Sequence, residues 1–524
     1  MEKKYCEFLE EITADELYEG LLGYGMFANK LPPVFTTEPF FNYCQANHPV
    51  FPNKWHDYVS YNSMRNINIP RLFGIPTPMN YQRLCATLRD HWADLKTHFH
   101  AQTDNQDYRV SRIHLRKLFG KKEIFEMNYS NWRIDGNPET ELLISKANGA
   151  SKFIVKADIS TCFPSIYSHS LPWALVGKVT AKATCTNDGL WYNKIDAACS
   201  TLKNGETHGL LIGPYASNLL SEVILTKVDK KLYDKGYRYI RNIDDFECYV
   251  DSNEAAQRFL SDLEEALREY DLPLNHKKTA IMALPVAIAE KWIHKLNGFL
   301  SINKEQITYK EVNAYLDLAL GLANSTGNSA VLKYAIKALS SRNMTTSAKN
   351  LAAQRIMHMS VVYPYLVQMM EDSVFGPMGV KTDMIKDYAD ALYADSKSTH
   401  NYEAISFAIY YSLKHDFTLK ELDVNWVIER GNCVLLLMTW LYYLKVNHGN
   451  RSATDLKPLR REAMRLKDTD MDRYWLFCYE VVARDHLPGD WKPMKQSKVS
   501  FVKATLGTGG QYCPGGPSNG QIIL

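Results

Sequence analysis

Residues 237–250 read YRYIRNIDDFECYV, two short apolar runs on either side of an acidic turn. Runs of this length, rich in β-branched and aromatic residues, are typical of strands. The stretch therefore predicts a hairpin with Asp244 and Asp245 at its turn. Adjacent carboxylates in an apolar hairpin repel each other and require compensating cations. An isolated Asp-Asp pair is usually no more than a solvated turn, so its meaning depends on the segments around it.

Working outward from the hairpin, the pattern changes between strand and helix. Residues 152–159 (KFIVKADI) alternate between apolar and polar as a strand does, and Asp158 lies at the end of this strand. Residues 218–235 have apolar positions at helical spacing, and residues 253–270 carry an apolar stripe on one helical face. The order strand, helix, hairpin, helix predicts an α+β domain with an antiparallel sheet.

The three aspartates of these strands predict divalent-metal chemistry. Mg²⁺ favours carboxylate, water and phosphate oxygens. Two Mg²⁺ ions a few ångströms apart can activate an attacking 3′-hydroxyl and stabilise the departing pyrophosphate. Asp158, Asp244 and Asp245 are therefore candidate ligands for two Mg²⁺ ions and candidate catalytic residues.

Four segments, in this order and spacing, resemble motifs A, B, C and D of reverse transcriptases: IVKADISTCFPSI at 154–166, HGLLIGPYASNLLSE at 208–222, RYIRNIDDF at 238–246 and LPLNHKKT at 272–279. The runs FPSIYSHSLPWAL, LKYAIKAL and RLFGIPTPMNYQRL resemble the abortive-infection branch, which comprises bacterial anti-phage enzymes grouped with the unknown-group defence reverse transcriptases. The resemblance covers residues 60–300 and, more loosely, 310–450.

The resemblance implies an α+β fold, a right-hand polymerase with fingers and an antiparallel palm sheet. An all-α, helical-repeat-like C-terminal domain would follow, since long amphipathic segments replace the strand pattern from about residue 310. The expected domains are an N-terminal and fingers region, a palm, a helical domain and a flexible Gly/Pro-rich tail, at 1–150, 151–300, 301–495 and 496–524.

The resemblance also assigns roles around the aspartates. The backbone carbonyl of Ile159 would be a minor metal ligand. Lys277 and Lys278 would lie near the leaving phosphate, one of them as proton donor. Because the two lysines are adjacent they cannot face the same way, and the sequence leaves open which one points inward.

Two further features would contact the nucleotide. Phe163 matches the steric gate, whose ring collides with a ribose 2′-hydroxyl and so favours deoxynucleotides. Gly213, Pro214 and Ser217 would form the motif B turn and helix start, where backbone approaches the primer or nucleotide closely. For Phe163 the competing interpretation is simple core packing.

Residues 109–122 (RVSRIHLRKLFGKK) hold six basic residues and no acid. The spacing predicts a helix, with Arg109, Arg112 and Arg116 on one face. That face is expected to bind the triphosphate or a nucleic-acid backbone. A solvated basic helix is the alternative.

The sequence departs from the family pattern at Asn242, where an aromatic residue is usual, and at Ile212, where retroviral enzymes have glutamine. Three modes of synthesis therefore stay open: protein-primed and untemplated, templated by a dedicated noncoding RNA, and generally RNA-templated. Protein priming needs a mobile hydroxyl, and Tyr512 in the Gly-rich tail is the candidate.

The expected partners are dNTPs, the DNA product and a noncoding RNA or other nucleic acid, in a homo-oligomer (trimer or hexamer) suggested by the resemblance alone. No membrane contact is expected, because the longest apolar run, 433–444, is shorter than the roughly 20 residues of a spanning helix. Scattered cysteines and an N-terminus unlike a signal peptide predict a cytoplasmic protein. The alternative function is a catalytically idle, polymerase-shaped module that binds nucleic acid and recruits partners through its helices.

Overall fold

The computed structural model describes residues 4–65, 69–112, 150–285, 291–300 and 306–504, and the backbone alone of residues 114–115, 125–126, 144–145 and 149. The chain forms two compact units, each built from separate stretches of sequence. The first unit contains Met1–Ala28, Thr37–Tyr58 and Gly74–Val286. The second contains Asn29–Thr36, Val59–Phe73 and Ala287–Leu524.

The first unit is organised around a four-stranded antiparallel sheet. Its strands lie in the order Ala280–Ala283, Phe153–Asp158, Asp245–Val250 and Arg238–Asn242. The predicted strand and the predicted hairpin are thus confirmed and are neighbours in one sheet. The strand Phe153–Asp158 lies inside the sheet, between the edge strand Ala280–Ala283 and the hairpin.

Both faces of this sheet are covered, as the near-continuous apolar character of its strands requires. Ile154, Ile240 and Tyr249 form a buried cluster on one face. The helix Asn253–Arg268 packs against the two inner strands, with Phe259 among the side chains of its apolar stripe that are fully buried. Burial of such side chains stabilises the fold by ~1.5–3 kcal/mol each.

The helix Tyr215–Asp234 is buried along most of its length because it packs against Trp92–Thr103, Ser170–Val176 and Asn253–Arg268. The other helices of the first unit are Tyr5–Glu10, Ala14–Tyr18, Glu38–Asn47, Pro78–Asp90, Cys162–Ser165, Lys178–Ala183 and Trp191–Thr201, with a π-helical turn at Glu19–Gly23. Two short strand pairs join His114–Leu115 to Phe125–Glu126 and Ile144–Ser145 to Gly149–Ala150.

The second unit is mainly helical. The strand Val59–Met64 pairs with Pro70–Ile75. The α-helices are Lys291–Leu300, Tyr309–Thr326, Ala330–Ser340, Thr346–Val362, Gly376–Met378, Thr382–Thr399, Tyr402–His415, Val424–Arg430, Cys433–Val446, Lys457–Thr469, Met471–Val481 and Trp491–Gln496. Short 3₁₀ or π segments lie at Pro364–Met369, Glu371–Phe375, Thr454–Leu456 and Arg484–His486.

Two early stretches of the chain are held within this helical unit. The buried carboxylate of Glu403 accepts hydrogen bonds from the Met64 backbone N–H at 2.6 Å and from the Ser63 hydroxyl at 2.7 Å. The Thr36 N–H donates to the carbonyl of Phe501 at 3.0 Å. Residues more than 300 positions apart in sequence are thereby joined.

Residues 424–446, which lie in the amphipathic part of the sequence, form two helices, Val424–Arg430 and Cys433–Val446. Gly431 adopts φ 60° and ends the first helix. The side chain of Asn432 caps the second by accepting from the Leu435 N–H at 3.0 Å. In the part of the chain that the structure describes, no helix is both long and apolar enough to cross a membrane.

The predicted helix at 109–122 is wrong where the chain can be compared. Residues 109–112 are extended and residues 114–115 form a strand. The Arg241 N–H donates to the Val110 carbonyl at 2.9 Å, and the Arg112 N–H donates to the Arg241 carbonyl at 2.7 Å. Pairing with the edge of the hairpin uses the backbone groups that a helix would need.

Candidate active site

Sheet register brings the three predicted aspartates together. Asp158, the last residue of its strand, pairs directly with Asp245, and Asp244 lies in the two-residue turn of the hairpin. One carboxylate oxygen from each of the three lies within 4.8 Å of the others. Asp158 is buried, Asp244 is half-buried and Asp245 is exposed, so the cluster opens to solvent on the Asp245 side.

The turn that carries Asp244 is held from its backbone. Ile243 adopts φ 56°, a left-handed conformation that is unfavourable for a β-branched residue. The Ile159 N–H donates to the Asp244 carbonyl at 3.0 Å, so the strand end of Asp158 and the hairpin turn are tied to each other. The predicted role of the Ile159 carbonyl as a metal ligand stays a prediction.

Burial and repulsion between the aspartates act together on Asp245. Partial burial, the charge of Asp244 and a hydrogen bond with Asp158 raise the pKa of Asp245 to about 7. Besides burial, the neighbouring aspartates thus disfavour the charged form of Asp245, and a nearby cation would favour it.

Asp158 is clamped by the segment that follows the helix Asn253–Arg268. The Asn275 N–H donates to the Asp158 carbonyl at 2.8 Å, and the Asn275 side-chain amide donates to Asp158 Oδ1 at 2.8 Å. Lys278 Nζ lies 2.6 Å from Asp158 Oδ2. Although partial burial opposes it, this hydrogen bond and the nearby aspartates raise the pKa of Lys278, which therefore stays charged.

These contacts separate the two adjacent lysines. Lys278 Nζ contacts Asp158 although 63% of the Lys278 side chain is exposed, and Lys277 is exposed as well. Asn275 was missed in the sequence, because an asparagine in a turn usually bonds its own nearby backbone and nothing local indicates a contact with a distant strand end. It positions Asp158 and does so with both backbone and side chain.

The segment after the strand Phe153–Asp158 carries Phe163, which is half-buried in the short helix Cys162–Ser165. The Leu210 N–H donates to the Phe163 carbonyl at 2.8 Å, and the Gly209 N–H donates to Ile166 at 2.8 Å. Gly209 has φ 86°, and a Cβ atom there would lie 2.8 Å from the Pro164 carbonyl oxygen. Glycine is thus required for this close approach.

The predicted motif B residues form the entry to the long helix. Gly213 adopts φ 127°, Pro214 is the residue before the first helical turn, and Ser217 is buried within that turn. The Tyr215 N–H donates to the Gly25 carbonyl at 2.8 Å. These contacts fix the start of the helix beside an N-terminal loop.

Residues 106–316 match the family model described as reverse transcriptase (RNA-dependent DNA polymerase). This chain carries a reverse-transcriptase domain. The domain is a nucleotidyltransferase of the RNA-directed DNA polymerase type, and the predicted reverse-transcriptase-like α+β fold is confirmed by the antiparallel sheet and surrounding helices.

The solved structures that the chain resembles include telomerases from two Candida species. Apo telomerase from Candida tropicalis truncated from its C-terminal domain has 14% identity and a TM-score of 0.31, over 47% of this chain and 55% of that one. Telomerase from Candida albicans, in complex with a fragment of telomeric RNA, has 12% identity and a TM-score of 0.30, over 68% and 65%. This chain therefore spans less than two thirds of either. None of the curated proteins compared with the chain matches it.

The aspartate cluster of the reverse-transcriptase domain fits a divalent metal ion. Metal–oxygen distances of ~2.0–2.1 Å for Mg²⁺ allow three carboxylate oxygens within 4.8 Å of one another to share an ion. The raised pKa of Asp245 marks the charge that such an ion would offset. Reverse-transcriptase domains are metal-dependent, and Asp158, Asp244 and Asp245 are the residues that would hold the metal here.

Three further residues were predicted to contact the nucleotide or to prime synthesis: Arg112, Arg116 and Tyr512. Arg112 is buried, with 4% of its surface exposed, so it does not present the open basic surface that a helical face would offer. Its role in nucleotide binding stays a prediction. Arg116 and Tyr512 lie outside the described residues.

Asp245→Asn is expected to stabilise the metal-free protein in a pH-dependent way. Because the folded-state pKa is raised, stability is present at low pH and is lost as pH rises from about 4 through 7. The advantage of the neutral variant should therefore grow from pH 5 to 7 and level off above, at about 1 kcal/mol after solvent screening. Thermal unfolding in EDTA measures it, with exposed Asp251→Asn as control. A difference independent of pH would contradict the expectation.

Lys278→Met is expected to lower the rate of nucleotide incorporation ~100-fold or more if Lys278 acts as the proton donor. Lys277→Met is the matched control and should change the rate less than about threefold, as exposed substitutions usually do. Single-turnover incorporation at saturating nucleotide measures both. Equal losses in the two variants would show that the lysine facing Asp158 has no special part.

Proposed function

We propose that this chain is an anti-phage defence enzyme that adds deoxynucleotides to DNA at Asp158, Asp244 and Asp245. The observation that carries the proposal is the meeting of these carboxylates within 4.8 Å, inside a segment that matches the reverse-transcriptase family model. The defence role rests on the likeness of the sequence to the abortive-infection branch. A cytoplasmic location agrees with the nine described cysteines, all of which are free.

In this proposal a 3′-hydroxyl attacks the α-phosphate of a dNTP, the new phosphodiester bond forms, and the bond to pyrophosphate breaks. Two Mg²⁺ ions held by the three aspartates would supply the positive charge for that transfer. Lys278, kept protonated beside Asp158, donates a proton to the leaving pyrophosphate. The ring of Phe163 excludes a 2′-hydroxyl, and the backbone at Gly213 lets the nucleotide approach closely.

The proposal also covers whether a template determines the sequence of the DNA product. Asn242 closes the hairpin opposite Asp245, and Ile212 is half-buried with its carbonyl accepting from the Gly74 N–H at 3.0 Å. Neither side chain supplies the contact that aligns a template-paired nucleotide in the usual family pattern. We therefore favour protein-primed untemplated synthesis or copying of a dedicated noncoding RNA over general RNA-templated copying, in a homo-oligomer.

Asp158→Asn is expected to reduce incorporation of labelled dNTPs by at least ~100-fold. Mutation of a residue that only hydrogen-bonds to a metal ligand already lowers metal affinity or activity by ~10–100-fold, and Asp158 is itself a proposed ligand. The Asp251→Asn control should keep wild-type activity. Incubation with dNTPs and Mg²⁺, followed by gel analysis, measures both. If the wild-type protein incorporates nothing while Asp158→Asn retains the biological effect, the chain is instead an idle, polymerase-shaped binding module.

Phe163→Ala is expected to raise the ratio of ribonucleotide to deoxynucleotide incorporation by ~10-fold or more, since one steric contact in a pocket is worth ~1–3 kcal/mol. Phe163→Tyr keeps the ring and serves as control. Competition between matched rNTP and dNTP measures the ratio. An unchanged ratio would assign Phe163 to core packing.

Tyr512→Phe is expected to abolish covalent attachment of the DNA product to protein if Tyr512 is the priming residue. The phenyl ring retains the shape of the side chain and lacks the hydroxyl that attacks the first nucleotide. Denaturing gels of labelled product, with and without protease, measure attachment. Undiminished protein-linked DNA would remove Tyr512 as the primer.

A further inference from the structure

Arg241 lies fully buried in the first strand of the active-site hairpin, three residues before Asp244. Its guanidinium bridges two carboxylates of the helix Tyr215–Asp234. Arg241 Nη1 lies 2.7 Å from Glu222 Oε1, and Nη2 lies 2.6 Å from Asp229 Oδ2. Glu222 and Asp229 are both about 1% exposed, and their seven-residue spacing places them on the same face of the helix.

Every carboxylate oxygen of this network has hydrogen-bond donors. Glu222 Oε2 accepts from the hydroxyls of Tyr5 at 3.0 Å and Ser111 at 2.9 Å. Asp229 Oδ1 accepts from the Tyr239 hydroxyl at 3.0 Å and from Arg241 Nε at 3.0 Å. A buried network with all members satisfied is rigid, because any displacement leaves a charge without its partner.

The same guanidinium reaches forward to the catalytic turn. Arg241 Nη1 donates to the carbonyl of Ile243 at 2.9 Å. On the other side of Asp244, the Ile159 N–H holds the Asp244 carbonyl at 3.0 Å. Both peptide groups that flank Asp244 are therefore fixed. Ile243 meanwhile adopts φ 56°, which for a side chain of this kind costs ~1–3 kcal/mol and persists only when surrounding contacts impose it.

Stability alone does not account for this arrangement. A buried ion network is often no more stabilising than apolar side chains of the same volume. Arginine can hold two carboxylates and a carbonyl together because its donors form a planar fork, which lysine lacks. The contact that an apolar replacement would lose is the one to Ile243.

We propose that Arg241, locked by Glu222 and Asp229, is a positioning residue that imposes the strained turn of Ile243 and so sets the metal affinity of Asp244 and Asp245. The inference rests on the proposed metal-dependent polymerase function of the site. Arg241 touches neither substrate nor metal; it acts through the backbone of the turn.

The test measures Mn²⁺ binding by electron paramagnetic resonance on the whole protein without nucleotide, beside Mg²⁺-dependent incorporation. Arg241→Lys is expected to raise the Mn²⁺ Kd ~10-fold or more and to raise the Mg²⁺ concentration for half-maximal incorporation similarly, with the KM for dNTP little changed. Arg451→Lys is the control, since Arg451 also donates to a backbone carbonyl, that of Glu480 at 2.6 Å, in the other unit. It should bind Mn²⁺ as the wild type does.

A folded Arg241→Lys protein with the wild-type Kd for Mn²⁺ would overturn the inference. If Arg241→Lys fails to fold, the Mn²⁺ Kd of Glu222→Gln is measured instead, because this variant weakens one ion pair of Arg241 and leaves the pair with Asp229. An unchanged Kd overturns the inference, and a raised Kd supports it. A wild-type protein that binds Mn²⁺ and incorporates no nucleotide contradicts the proposed function, and the Arg241 comparison still stands. A wild-type protein that binds no Mn²⁺ overturns both.

Discussion

Repulsion between three carboxylates held within 4.8 Å of one another is the constraint on which the rest of the active site depends. Left to relax, such groups would separate into solvent or take up protons; burial and the charge of Asp244 both raise the pKa of Asp245. Backbone hydrogen bonds keep the three carboxylates from separating. Asp158 and Asp245 are fixed opposite each other by strand register, and Asp244 is held in a turn whose two carbonyls are both bonded.

Two cations, both supplied by the protein, flank this negative cluster in different ways. Lys278 meets Asp158 directly at the solvent side, where a flexible ammonium group can exchange its partner for another. Arg241 lies behind the turn with no exposed surface and is held by two carboxylates at once. The exposed cation suits a group that takes part in chemistry, and the buried one suits a group that maintains shape.

Much of this architecture could be predicted from local patterns. The alternation of apolar and polar residues predicted the strand that ends at Asp158, and the apolar runs around Asp244 predicted the hairpin. Both predictions were possible because the burial of a strand determines which of its consecutive residues are apolar. Side-chain contacts between distant segments leave no such pattern. The clamp of Asn275 on Asp158 and the lock of Glu222 on Arg241 were therefore missed.

Residues 109–112 were misjudged because their backbone pairs with the hairpin, a tertiary partner that overrides helical spacing. The adjacent Gly431 and Asn432 did carry a local signal for the end of one helix and the start of the next.

The segments Asn29–Thr36 and Val59–Phe73 belong to a unit whose remaining residues begin at Ala287. During synthesis these early segments leave the ribosome long before Glu403 and Phe501, the residues that bond them, have been made. At ~5–20 residues per second the delay is on the order of half a minute. The second unit therefore cannot complete its fold until residues 403 and 501 have been made, whereas every segment of the first unit has been made by residue 286. Until then the strand Val59–Met64 has its neighbour Pro70–Ile75 but lacks its contact with Glu403.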